Sequence, residues 1–214
     1  MPVTTYVFDG GASGSGALDI ARATQLRIKL WGYAYQLTND TKWSDRAWQE
    51  LYWMSGATTA SGSAGAVSGQ SDPWNSQHFL DVAEFTFAYA LAYDWMYSAW
   101  NSTQLGQIRT WIVQNGLNKG QSAYSAGTVF WLTATGNWSV QLFNSSDSYR
   151  NCVCTNGLMA GALAIWDEDT SGAAKSIMAS ALPNALSTCA NAISTDGTWL
   201  ETQDYCASSV SDAV

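Results

Sequence analysis

The sequence holds a single histidine, His78, in the segment Trp74-Asn-Ser-Gln-His-Phe-Leu-Asp-Val-Ala-Glu84, where His78, Asp81 and Glu84 recur at intervals of three. Imidazole is the side chain whose ordinary pKa lies nearest neutrality, so histidine-based proton transfer here has one candidate. On a helix that spacing makes the three residues neighbours, and two adjacent carboxylates on an apolar helix repel unless a partner offsets them. The same spacing fits a plainer arrangement, a hydrogen-bonded polar cluster at a helix entrance. Two further constellations lie downstream. Gly136-Asn-Trp138, followed by Asn151-Cys-Val-Cys-Thr-Asn-Gly157, offers amides and an indole. Asp196-Gly-Thr-Trp-Leu-Glu-Thr-Gln-Asp-Tyr205 is a turn with the carboxylate of Glu201 and the phenol of Tyr205 close behind. Taken singly, each is also ordinary loop material.

Other chemistries lack their residues. No Ser is framed as Gly-x-Ser-x-Gly with a histidine downstream. Gly10-Gly-Ala-Ser-Gly-Ser-Gly16 has the glycines of a phosphate loop but no Lys-Ser/Thr, and reads as a flexible lead-in over residues 1–16. Cys152, Cys154, Cys189 and Cys206 do not form the paired Cys-x-x-Cys spacing of a zinc site, so no metal and no cofactor is expected. Small buried residues with one disulfide are the expectation for these four, with the pairing open. Two positions apart on a helix, Cys152 and Cys154 face different ways and are poorly placed to bond each other.

The elements that must position these groups are helical. From Ala17 to Leu37, Leu18, Ala21, Leu26, Leu30, Ala34 and Leu37 recur at spacings near three and four. Thr38-Asn-Asp-Thr41 breaks that helix, and Trp43 to Met54 stacks Ala47, Leu51 and Met54 on one side, making a helical hairpin. A loop is expected over 55–73, and Phe79 to Tyr97, apolar nearly all round, reads as the buried centre. Asn101 is a helix N-cap, with Leu105, Ile108, Ile112 and Leu117 following at helical spacing before Gly120. Periodicity is lost from Gln121 to Tyr149, which predicts loops. Helix returns from Cys152 to Trp166, where Gly157, Ala160, Gly161, Ala162 and Ala164 permit close helix approach. It returns again from Ala173 to Ile193, where Pro183 should kink or divide it. The fold class is therefore all-α: one domain over 17–214, an incomplete array of helical hairpins with a groove at one end.

Composition agrees with a packed fold. The 214 residues include 12 Trp, 10 Tyr and 6 Phe, and are 47% hydrophobic and 12% charged, against a usual charged fraction of about 25%. Nine Lys and Arg against seventeen Asp and Glu leave a net charge of −8, which repels nucleic acid and anionic lipid. No uninterrupted apolar run reaches the ~18 residues of a membrane span. Sequons at Asn39, Asn101, Asn137 and Asn144 and the scarcity of Lys point to a secreted glycoprotein, although residues 1–9 do not read as a signal peptide.

In this order the constellations resemble the heparinase II/III-like polysaccharide lyases. Ala17 to Leu51 is similar to the family's first hairpin, Trp74 to Glu84 to its tryptophan-to-glutamate segment, and Ala92-Tyr-Asp-Trp95 to the continuation. Asn151 to Gly157 with Gly161-Ala-Leu-Ala164 resembles its asparagine-cysteine block, and Asp196 to Tyr205 its aspartate-glycine turn. The resemblance implies an (α/α) toroid of the chondroitin AC and alginate lyase type that holds an acidic polysaccharide and cleaves it by β-elimination. It implies Tyr205 as the base and acid at the sugar C5 and C4 positions, with His78 sharing the role. Asn151 or Asn137 would be the amide that polarises the uronate carboxyl, with Trp74, Trp138, Glu84 and Glu201 binding substrate along the groove. Such chemistry requires the carboxylate charge to be offset before the C5 proton can leave. Here the chain differs from the family pattern by an insertion over 139–150 and by Thr202 in place of a glycine. With nine residues after Tyr205, it reads as an N-terminal part of such a lyase, whose uncovered helix faces would favour self-association. A carbohydrate binder without catalysis, and an α-toroid glycoside hydrolase using Glu84 and Glu201, are the alternatives.

Overall fold

A computed structural model describes residues 17–57, 72–126, 129–133, 136–140, 148–189 and 195–196. The described chain is predominantly helical and begins with the expected hairpin. Helix α1 (Leu18–Thr38) stops where Asn39 turns left-handed (φ 51°) and its N–H bonds the Tyr35 carbonyl. Helix α2 (Lys42–Met54) follows, with Ala47, Leu51 and Met54 fully buried as their spacing requires. The packed face of α1 differs from the expected one. Leu18 and Ala21 are buried, but Leu26, Leu30 and Leu37 are 59%, 61% and 69% exposed. The core side runs instead through Thr24, Gln25, Ile28, Trp31 and Tyr35. Both stripes have helical spacing, and the one selected carries the rings and the amide that meet partners on α2 and α3.

Helix α3 (Phe79–Trp95) is the centre, buried along almost its whole length. Trp74, just before it, packs against Phe85 and Tyr89, with ring centroids 5.7 and 4.6 Å away, and donates its indole N–H to the Met54 carbonyl at 2.9 Å. Full burial of a large apolar side chain contributes about 1.5–3 kcal/mol, so this ring trio anchors the loop entry to α2. Asn101 caps α4 (Ser102–Trp111) through a reciprocal pair with Gln104, at 3.0 and 3.1 Å. α4 then runs without a break into a π-helical stretch, Ile112–Leu117, and on into α5 (Asn118–Ala126), past the expected stop near Gly120.

The stretch expected to be loop contains further structure. Besides the end of α5, strands β1 (Val129–Thr133) and β2 (Gly136–Val140) form an antiparallel hairpin in which Trp131 pairs with Trp138 and Thr133 with Gly136. Strand β1 is a β-branched and aromatic run that a search for helical periodicity passes over. Helix α6 (Ser148–Ala164) and helix α7 (Ala173–Asn184) complete the described order. Pro183, which has no N–H to donate, sits at the end of α7, after which the chain continues as a π-helical turn, Ala185–Cys189.

Helices α1, α3 and α6 lie side by side and parallel. The start of α1 bonds the start of α3 through Ala17 and Asp81, and its end reaches the end of α3 through Gln36 and Trp95. Along α3 and α6, Gly157 faces Ala83 and Gly161 faces Thr86. A Cβ at Gly157 would fall 2.4 Å from the Ala83 carbonyl oxygen, so this contact requires glycine. Helix α2, the α4–α5 rod and α7 pack behind this layer. Trp48 and Tyr52 of α2 interlock with Trp111 at 5.6 and 5.9 Å, and Gly120 of α5 lies against Ile177 of α7.

Candidate functional site

The shared direction of α1, α3 and α6 gathers their N-terminal ends at one end of the molecule, and the polar cluster read from the sequence lies there. His78 precedes α3 with a non-helical backbone (φ −123°, ψ 85°), and its imidazole turns inward, with Nδ1 2.6 Å from Asp81 Oδ1. Asp81 Oδ2 accepts from the Asn75 side-chain amide and from the Ala17 N–H, each at 2.8 Å, so one carboxylate ties the start of α1 to the start of α3. Burial pushes the Asp81 carboxyl above its usual range, and the hydrogen bonds from His78, Ala17 and Asn75 pull it back. A carboxylate on Nδ1 fixes the ring orientation and makes Nε2 the nitrogen a reacting group would have to meet. One turn on, Glu84 accepts from Arg22 Nε at 3.1 Å and Gln25 Nε2 at 3.0 Å, bridging α3 to α1 a second time. The repulsion foreseen between the two carboxylates is offset because each has its own donors. His78, Asp81 and Glu84 are 2%, 0% and 3% exposed.

Asn151 stands near the start of α6, and the facing of Gly157 on Ala83 carries it to the level of the turn that holds His78. Its side chain is fully buried. Oδ1 accepts from Thr155 at 3.0 Å and from Asn184 Nδ2 at 2.6 Å, and Asn184 also reaches the Tyr124 hydroxyl at 3.2 Å. This cluster ties α6 to α7 and α5. Trp74 is a core residue with 0% exposure, and its ring packs on Phe85 and Tyr89. Asn137 and Trp138 belong to β2. Glu201 and Tyr205 lie outside the described residues.

A second cluster at the far end of α3 was not singled out from the sequence. Tyr93 and Tyr97 both donate to Glu168, which follows α6, and Arg109 Nη1 of α4 reaches the Tyr93 hydroxyl and Glu168 Oε2 at 2.8 Å each. The two phenols, Tyr93 first, hold the Glu168 carboxyl below its usual range, while burial and the Glu168 bond push the Tyr93 phenol well above its own. Tyr93 is thus a donor rather than a base. The four residues come from α3, the short turn Tyr97–Ala99, α4 and the connection after α6, so no local spacing reveals them. The one sequence signal is the pair of tyrosines four apart, Tyr93 near the end of α3 and Tyr97 in the turn that follows it.

Arg22, Arg27, Arg46, Lys42, Lys119 and Arg109 are all held in ion pairs. Among the described residues no group of His, Cys, Asp and Glu is arranged to hold a metal ion, and no helix is long and apolar enough to cross a membrane. Cys152 is disulfide-bonded and Cys154 is a buried thiol outside that bond, consistent with their facing different ways on α6. No family model matches the chain, and no curated protein matches it either.

Proposed function

We propose that this chain is part of an (α/α) toroid polysaccharide lyase that cleaves a uronate-containing glycan by β-elimination. What supports the reading is the parallel layer, whose α3 and α6 begin at the same end with His78 and Asn151 at matching levels. Helix N-terminal ends carry partial positive charge, which favours a uronate and the charge that builds on it as the C5 proton leaves. In this reaction the C5 proton passes to the base, the C4–O bond breaks, and the leaving oxygen takes up a proton. Tyr205 is the proposed base and acid, His78 shares the proton, and Asn151 or Asn137 polarises the carboxyl. The Cys152 disulfide supports an oxidising, secreted setting. The exposed stripe of Leu26, Leu30, Tyr33 and Leu37 on α1 supports self-association. The experiment is incubation with alginate, heparan sulfate and glucuronan, reading the ultraviolet absorbance of the unsaturated uronate. Absence of that product from every polymer, with the protein folded, overturns the proposal.

A second reading has its own support. His78, Glu84 and Asn151 are buried with internal partners, as in a scaffold that binds glycan without reacting with it. Tyr205→Phe separates the two. Loss of turnover with glycan binding retained identifies the lyase, and glycan binding without turnover in either protein identifies the binder.

A further inference from the structure

The far end of α3 opens onto a cleft of about 360 Å³ between the α4 rod and the connection from α6 to α7. One wall is a single helical face, Gly106, Arg109, Thr110, Val113 and Gln114, and the other is the connection Glu168–Ser171. Three independent features mark it as built for an occupant.

The first is Gly106. Glycine inside a helix costs roughly 0.5–1 kcal/mol relative to alanine. At Gly120, Gly157 and Gly161 a Cβ would come within 2.7, 2.4 and 2.4 Å of a packed neighbour, which explains those glycines. At Gly106 it would meet only Arg109 Nη2, at an ordinary 3.9 Å. Packing does not require this glycine, and its bare backbone lies on the floor of the cleft, where a larger side chain would take up the space. The second is the backbone. Val113 and Gln114 belong to the six-residue π-helical stretch, a form frequent at functional sites. The third is rigidity. Arg109 and Glu168 are clamped by Tyr93 and Tyr97, and Asp169 locks the opposite wall by accepting from the Ser171 and Ala174 N–H groups, each at 2.8 Å.

The lining selects the ligand class. Glu168 and Asp169 outnumber the one cation, Arg109, and disfavour an anion. Val113 is the one apolar side chain, and the carbon stems and backbone of the polar residues add further apolar surface, a mixed lining that suits a ligand carrying both hydroxyl groups and C–H faces. What remains is a matched supply of donors and acceptors from Arg109, Gln114, Thr170 and Glu168, suited to hydroxyl groups. The volume falls within the roughly 300–1,000 Å³ of small-ligand sites. We propose that this cleft binds a neutral, polyhydroxylated ligand, one or two sugar rings of a glycan. The inference stands apart from the lyase reading, because His78 and Tyr93 are separated by about 22 Å of helix at 1.5 Å per residue.

The test is saturation-transfer NMR and calorimetry on the full chain with cellobiose, maltose, mannobiose and xylobiose, and with glucuronate and inorganic phosphate as anionic probes. Binding of at least one neutral disaccharide, stronger than either anion, is expected. Gly106→Leu should fold with an unchanged or higher melting temperature and weaken that disaccharide about tenfold or more. Failure of every neutral disaccharide to bind, a stronger binding of phosphate or glucuronate that Gly106→Leu abolishes and so places in this cleft, or full retention of disaccharide binding in folded Gly106→Leu overturns the inference. Uronate turnover is read separately, so failure of one proposal is distinguishable from failure of the other.

Discussion

At the start of α3 the ionisable groups of His78, Asp81 and Glu84 are sealed from solvent and bonded to α1, whereas at its end Arg109 and Glu168 remain 30% and 34% exposed beside a cleft. The two ends of this helix therefore meet charge in two ways. Buried carboxylates with every partner inside the protein fix how α1 and α3 meet, and the loss of one partner leaves the others unsatisfied in a medium of low polarity. A clamped but half-open pair holds its geometry while keeping faces that a ligand can still use.

The largest effect that would test this contrast is at the sealed end. Asp81→Ala strands His78, Asn75 and the Ala17 N–H, and is expected to cost about 3–5 kcal/mol in urea unfolding. A loss no larger than that of an exposed ion pair would remove the contrast. Next is the interface that sets the two ends in register. Gly157→Ala drives a methyl into the Ala83 carbonyl and should cost about 1–3 kcal/mol, while Gly106→Ala at the cleft should be neutral or stabilising. Paired thermal melts of the two variants measure this difference directly.

The smallest effect belongs to the open end. Glu168→Gln should cost less than ~1 kcal/mol near neutral pH, because solvent screens the Arg109 pair. It should show itself in the pH dependence instead. The folded Glu168 pKa lies below its ordinary 4.5, so its contribution is present above that value and is lost as pH falls through the lowered folded pKa. The variant should therefore have a shallower decline of melting temperature below pH 4.5 than the parent protein. Equal slopes would show that the two phenols do not hold the carboxylate.

These contrasts were unevenly legible in the sequence. The hairpin of α1 and α2, the buried α3 and the Asn101 cap follow from local patterns of spacing and capping, and each is seen. So does the polar cluster of His78, Asp81 and Glu84, because three residues at helical spacing must be neighbours. The Arg109 and Glu168 cluster was not legible, since its members lie on separate elements that only packing brings together. The β-hairpin was missed because two five-residue strands are too short to stand out against a helical background.

The amino-acid sequence by itself determined a helical, ring-rich chain with one imidazole at the mouth of its most apolar helix, because periodicity and capping act over a few residues. Only the tertiary structure decided which stripe of α1 is covered, leaving Leu26, Leu30 and Leu37 outside and Trp31 and Tyr35 within. It also decided that Asp81 and Glu84 serve α1 rather than each other, and that Gly106 floors a cleft. Each outcome depends on the surface that arrives from a distant part of the chain, and local spacing carries no information about that surface.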